Sequence, residues 1–325
     1  MKIVESALFQ PLPRLLPGMI ISLSLAWVLP YCFGNTAWGM DITRAALIFA
    51  LFTLSWDFLC GSTGEISFGH TFFIGVSAYT AAIVQLHGGL SPVTALLLAS
   101  LAGAGCGGLL GVLTLRHTAA VYTMVTMAIQ LSFHRTLFIA GGLLGGEEGI
   151  PISSSLLPTP QQEYWLTLAI SAGALWLAIW LWDTPFGRQL RAAGGDNRVA
   201  LASGVPVARV RILGACFAGL LAGMGGALMA MLHRMAYHEL AGDSLAGLIF
   251  LLATVGGVRT LVGPWLAALL YTSVVREFLQ SFQEISTILE FGLFLVIIWT
   301  FPNGIGRPLG RLWRGLQAGK LRHAP

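Results

Sequence analysis

Between two apolar runs the chain reads Gly61-Ser-Thr-Gly-Glu-Ile-Ser-Phe-Gly-His70, a stretch that gathers glycines, hydroxyls, one acid and one imidazole. A helix does not run comfortably through that composition. Irregular backbone near membrane depth is tolerated only where protein buries it or a polar cavity hydrates it, and broken helices of this kind often line transport paths. Gly64, Glu65, Ser67, Gly69 and His70 are therefore candidates for the border of a substrate path, the alternative being a plain turn at the membrane surface.

Other chemistry is sparse. His233, His238 and Glu239 come nearest to a metal constellation, but a five-residue offset does not place both imidazoles on one helix face, so they read as solvated interfacial side chains. Gly103, Gly105 and Gly108 match the dinucleotide pattern GxGxxG by letter, yet they follow no strand and lie inside an apolar segment, so the match is accidental. A phosphate-binding GxxxxGK[ST] loop is excluded because the only lysines are Lys2 and Lys320. There is no HExxH, no GxSxG elbow and no close pair of acids on one helix face. Cys32, Cys60, Cys106 and Cys216 stand singly in apolar segments and read as packing residues. No catalytic residue, metal site or cofactor is expected.

The elements that must position the broken segment follow from composition. The 325 residues are 56% hydrophobic and 10% charged, with a mean hydropathy of +0.78, too little polar surface for a soluble domain of this size. The expected fold class is all-α, a polytopic membrane bundle forming a single domain over residues 1–325. Ten apolar segments are candidate spans: Leu16–Phe33, Ile42–Cys60, Thr71–Leu86, Val93–Leu115, Ala119–Ala140, Tyr164–Trp182, Ile212–Leu232, Ser244–Val258, Leu261–Val275 and Ile285–Phe301. Eight crossings result if the short eighth and ninth segments are re-entrant.

Charge orients them. The Asp183–Arg211 loop holds five arginines and two acids, and the tail carries Arg307, Arg311, Arg314, Lys320 and Arg322. With an even count, these regions and Lys2 and Arg14 all fall on the cytoplasmic side of the membrane, and both termini with them. Arg116 and His117 land there too, whereas the Gly141–Glu163 loop, acidic at Glu147, Glu148 and Glu163, faces outward. The net charge of +4 thus reflects orientation, and no surface for nucleic acid is present. Trp27, Trp38, Trp56, Trp165, Trp182, Trp265 and Trp299 fall near span ends and read as headgroup anchors. Gly103, Gly107 and Gly111, and Gly219 with Gly223, recur every fourth residue, a spacing that lets helices approach closely in lipid.

Within the basic loop, Asp196 and Asn197 can cap a short helix through Val199, Ala200 and Leu201 that Gly204 and Pro206 end. One apolar edge with polar flanks suits either the headgroup layer or a groove on a partner protein.

The segments Gly61–Ala82, Gly195–Leu228 and the closing Phe301-Pro-Asn-Gly-Ile305 resemble the permease subunits of branched-chain amino acid ABC importers, specifically the LivM type, over about Ala46 to Ile305. The resemblance implies an ABC importer permease fold, a second homologous permease subunit, two cytoplasmic ATP-binding subunits and a periplasmic or surface substrate-binding protein. It also implies that Gly195, Asp196, Asn197, Ala200 and Gly204 belong to the helix that couples to the ATPase. Such members carry an acid in the fifth span, where this chain has Gln130, His134 and Arg135, so relatives that handle urea, short amides or other amino acids bear on the substrate as well. Two rivals differ in class. A stand-alone secondary transporter or channel would need an ion site among Asp57, Glu65, Arg135 and Glu290, and a membrane enzyme would need a catalytic constellation.

Overall fold

A computed structural model describes residues 12–32, 36–115, 117–154, 156–280, 285–300 and Gly304. Lys2, Arg116, the closing Phe301–Ile305 motif apart from Gly304, and the basic tail lie outside the described residues. Each of the ten apolar segments contains a helix: α1 (Leu12–Cys32), α2 (Ala37–Trp56), α3 (His70–Leu86), α4 (Pro92–Thr114), α5 (Ala119–Ile139), α6 (Pro160–Asp183), then, beyond the basic loop, α9 (Val207–His233), α10 (Asp243–Gly256), α11 (Val262–Leu270) and α12 (Ser286–Thr300). The basic loop folds into α7 (Pro185–Gly195) and α8 (Asn197–Ala202). A π turn, Asp57–Gly61, prolongs α2, and a second, Tyr271–Val275, joins α11 to the short helix Arg276–Gln280.

Local chemistry sets several of these starts. Ser91-Pro92, Thr159-Pro160 and Thr184-Pro185 each place a hydroxyl cap before a proline, and the hydroxyls accept the N–H groups of Thr94, Gln162 and Gly187. The cap satisfies a donor with no intrahelical partner, and proline supplies a helical φ where its missing N–H costs nothing.

Among the described residues, four helices are long and apolar enough to cross a membrane: Ala37–Gly61, Pro92–Thr114, Pro160–Asp183 and Val207–His233. α10, with its 14 residues, reaches only about 21 Å at 1.5 Å per residue, short of a hydrocarbon core of about 30 Å. It packs against α11 through the turn 257–261 as a helical hairpin.

α2 is the central post and is buried almost throughout from Met40 to Gly61. Polar side chains tie it to its neighbours: Ser55 Oγ donates to the Ala218 carbonyl at 2.8 Å, Thr53 Oγ1 to Pro264 at 3.1 Å, and Ser171 Oγ from α6 to Leu47 at 3.3 Å. α4 and α9 pack backbone to backbone, because a Cβ on Gly107 or Gly219 would overlap the carbonyl of Ala215 or Gly103 respectively. The glycine rows thus meet each other, as small-residue packing in lipid requires.

Not all tryptophans are anchors. Trp27, Trp38 and Trp299 are exposed, but Trp56, Trp182 and Trp265 are core residues. Trp56 and Trp265 are held inward by N–H bonds to the Ser67 carbonyl and Ser171 Oγ, and such a bond is what lets a buried indole satisfy its one polar atom.

The end opposite the basic loop is closed by polar ties. Ile150–Pro151 pairs antiparallel with Met235–Ala236. Arg44 Nη2 meets Glu163 Oε2 at 2.7 Å, Glu163 Oε1 accepts the Leu156 N–H at 2.9 Å, and Gln85 Oε1 holds Ser154 Oγ at 3.0 Å.

Candidate functional site

The broken segment lies at the end of the bundle that carries the basic loop. α2 runs into its π turn, the Gly64 N–H closes on the Cys60 carbonyl at 2.8 Å, and Gly64 takes φ +72°. That left-handed conformation suits glycine because no Cβ meets the carbonyl. From there the chain is irregular through Ser67, bends at Phe68 and turns at Gly69, where α3 begins at His70. Neighbouring side chains hold it: Trp56 Nε1 donates to the Ser67 carbonyl at 2.8 Å and Thr123 Oγ1 to the Ile66 carbonyl at 2.8 Å, while Ser67 Oγ accepts the Gly69 N–H at 3.1 Å.

Three elements converge on this segment. α9 supplies Arg211, whose Nη2 lies 2.5 Å from Glu65 Oε1, with both side chains about nine-tenths buried. α7 supplies Gly194, packed so tightly that a Cβ there would overlap the backbone of Ser62 and Thr63. The turn between α10 and α11 supplies Arg259, whose Nε donates to the Gly61 carbonyl at 2.8 Å. Asp57, fully buried, accepts the N–H groups of Arg259 at 2.6 Å and Leu261 at 2.8 Å. Broken segment, basic loop and hairpin turn are therefore one polar knot inside an apolar bundle.

Against the knot sits a small pocket lined by Leu59, Thr63, Glu65, Thr114, Tyr122 and Arg211, among others. Its water-accessible space is about 20 Å³, room for about one water molecule.

The sequence candidates separate into groups. Gly64 and Glu65 belong to the knot; Ser67 and Gly69 form the turn that leads into α3, and His70 is buried with its ring edge-on to Phe73 at 5.4 Å. Gln130 is elsewhere: its Nε2 donates to the Ala241 carbonyl at 2.6 Å and holds the turn at the far end of the bundle. There too His134 and His238 stack at 5.4 Å, while His233 sits against Tyr237.

In the basic loop, Asp196 caps α8 by accepting the N–H groups of Arg198 at 2.8 Å and Val199 at 3.3 Å. Gly204 follows with φ +79°, and Gly195 faces open space. Arg191 lies over the Trp182 ring at 4.6 Å, and burial pulls its pKa below the usual arginine value. Ala200 departs from the sequence expectation of an outward apolar edge. It is 4% exposed and packs on Ala193 and Val207, because α8 turns its small side chain onto α7 and α9. The outward edge is Val199 and Leu201, 62% and 60% exposed.

Sequence reasoning did not single out Arg211, Arg259 or Gly194 as site residues. Arg211 starts an apolar helix and Arg259 interrupts an apolar hairpin; a charge at such a place needs a partner, and that was the available signal. Gly194 left none, since its close contact is with residues far off in sequence.

Comparison with known proteins agrees with this architecture. A family model described as branched-chain amino acid transport system / permease component matches residues 38–298. The high-affinity branched-chain amino acid transport system permease protein LivM of Salmonella typhimurium is 24% identical over 337 residues, covering 93% of this chain and 77% of the relative. LivM of Escherichia coli K12 is 25% identical with the same coverage. The ribose import permease protein RbsC of Bacillus subtilis is 29% identical over 204 residues, covering 56% of this chain and 60% of that protein. No solved structure matches the chain. With the family model spanning most of its length, the chain belongs to the permease component family of branched-chain amino acid transport systems.

Proposed function

We propose that this permease subunit of an ABC importer passes a small amino acid, of the branched-chain type or close to it, into the cytoplasm. It works beside a second homologous permease, two ATP-binding subunits and a surface binding protein. The basic loop and both termini face the cytoplasm, and the Gln85–Ser154 and Arg44–Glu163 ties face outward. The observation that carries the reading is the knot. The element that would meet an ATPase, α8 with Val199 and Leu201 exposed, belongs to the same loop whose Gly194 and Arg211 grip the broken segment. A push on α8 therefore reaches the polar interruption of the bundle through rigid contacts. Of the three relatives named above, two carry names that point to branched-chain amino acids and one a name that points to ribose. The LivM matches span nearly the whole chain and the ribose permease about half of it, which favours the amino acid.

The test is purification of the tagged chain with its endogenous partners and reconstitution in vesicles. Co-purifying ATPase and ATP-dependent uptake of leucine are expected. Uptake that persists without an ATPase, driven by an ion gradient, would overturn the reading in favour of a secondary transporter.

A further inference from the structure

Arg211 and Glu65 pair in the lining of the small pocket, and the pair is not fully satisfied. Arg211 is 8% exposed and spends one donor on Glu65, while its Nε is buried with no hydrogen-bond partner. Apart from the phenol of Tyr122, the pocket walls are otherwise Leu59, Gly111, Leu115 and Ala215 beside Thr63 and Thr114, whose hydroxyls already donate to the Leu59 and Leu110 carbonyls. The space left is about one water, so a larger solute fits only if the lining, Glu65 and Arg211 included, moves apart.

Parting a buried pair leaves two uncompensated charges unless something replaces each partner. A neutral solute replaces neither and a singly charged solute replaces one. A zwitterionic amino acid replaces both, its carboxylate taking the place of Glu65 on Arg211 and its ammonium that of Arg211 on Glu65. The unused Nε gives Arg211 the second donor that a two-pronged grip on a carboxylate needs.

We infer that Glu65 and Arg211 form a zwitterion-binding site at the cytoplasmic end of the path, a charge filter that α-amino acids open by exchanging with the pair. The inference rests on the importer reading given above and adds the site and the basis of selection. Because Arg211 lies near the start of α9, which follows α8 directly, the filter also lies where α8 can move it.

The experiment uses the assembled importer in vesicles and four solutes: leucine, leucinamide, 4-methylpentanoate and ribose. The wild type is expected to take up leucine at least tenfold faster than the other three. In Glu65→Gln the lone Arg211 charge should favour the anion, so the ratio of 4-methylpentanoate to leucine uptake rises at least tenfold. In Arg211→Gln the ratio of leucinamide to leucine rises instead. Where either single variant fails to assemble, the exchange Glu65→Arg with Arg211→Glu keeps both charges and should retain the preference for leucine. If the assembled variants lose uptake of all solutes in equal proportion, or if the exchange abolishes the preference, the pair is a structural brace and the inference fails while the importer reading stands. A wild type that carries ribose in preference to leucine overturns both.

Discussion

Asp57 accepts the backbone N–H of Leu261 at 2.8 Å across 204 residues of sequence, and its other oxygen accepts that of Arg259 at 2.6 Å. A buried carboxylate at the end of the central helix thus fixes a turn in which Gly257, Arg259 and Leu261 all take positive φ, at 98°, 73° and 58°. Positive φ at a non-glycine residue is strained, and the two accepted bonds help to hold it. Asp57→Asn keeps the shape but presents one amide nitrogen to a backbone donor, which leaves a buried N–H unsatisfied. The expected loss is about 1–3 kcal/mol, seen as a lowered unfolding midpoint of the purified complex. An unchanged midpoint would show that the turn holds itself.

Gly194 and Gly195 make a paired test. A Cβ on Gly194 would overlap the Ser62 and Thr63 backbone, whereas one on Gly195 meets nothing. Gly194→Ala is expected to cost about 1–3 kcal/mol by overpacking and to uncouple ATP hydrolysis from uptake, because the loop is pushed off the broken segment. Gly195→Ala should leave stability unchanged and keep the loop seated on the broken segment. Equal behaviour of the two would remove the contact from the coupling route.

Val199 and Leu201 form the exposed edge of α8, the edge that we propose meets the ATPase. Burying such apolar surface is worth about 25 cal/mol per Å², and a carboxylate there would have to be desolvated without a partner. Val199→Asp with Leu201→Asp should cut the co-purified ATPase at least tenfold while leaving the permease folded and membrane-inserted. Ala200→Arg is the wrong probe, because that position is core and its failure would report local unfolding. Full recovery of ATPase with the double variant would place the docking surface elsewhere.

Much of this was legible in the sequence, and the boundary is physical. The helices were readable because apolar length and hydroxyl–proline starts are local signals, and Gly64 with Gly69 marked the interruption for the same reason. What failed was direction. In the sequence Ala200 belongs to the apolar edge with Val199 and Leu201, because α8 is too short for periodicity to say which side meets α7 and α9. Trp265 reads as an anchor in the sequence although it is buried, since an indole with a partner at Ser171 looks the same there as one at the headgroups. The ion pair joins residues 146 apart, and nothing local announces it.

The orientation of the bundle can be tested by labelling single cysteines from outside intact cells, and the structure decides where they should go. Gly149, at φ +71°, packs on the Ala236 backbone, so a side chain there would overlap it and disturb the Ile150–Ala236 pairing. Glu148 is exposed beside it, and Ser203 is exposed after α8. The four native cysteines sit in apolar helical segments, and an impermeant reagent in wild-type cells sets their background. Glu148→Cys should react with that reagent in intact cells, whereas Ser203→Cys should react only after permeabilisation. The charge distribution requires this order: the Asp183–Arg211 loop carries five arginines, while the segment around Glu147 and Glu148 carries acids without a base. The reverse pattern would put α8 outside the cell, out of reach of any ATPase, and would overturn the coupling route from α8 to Arg211.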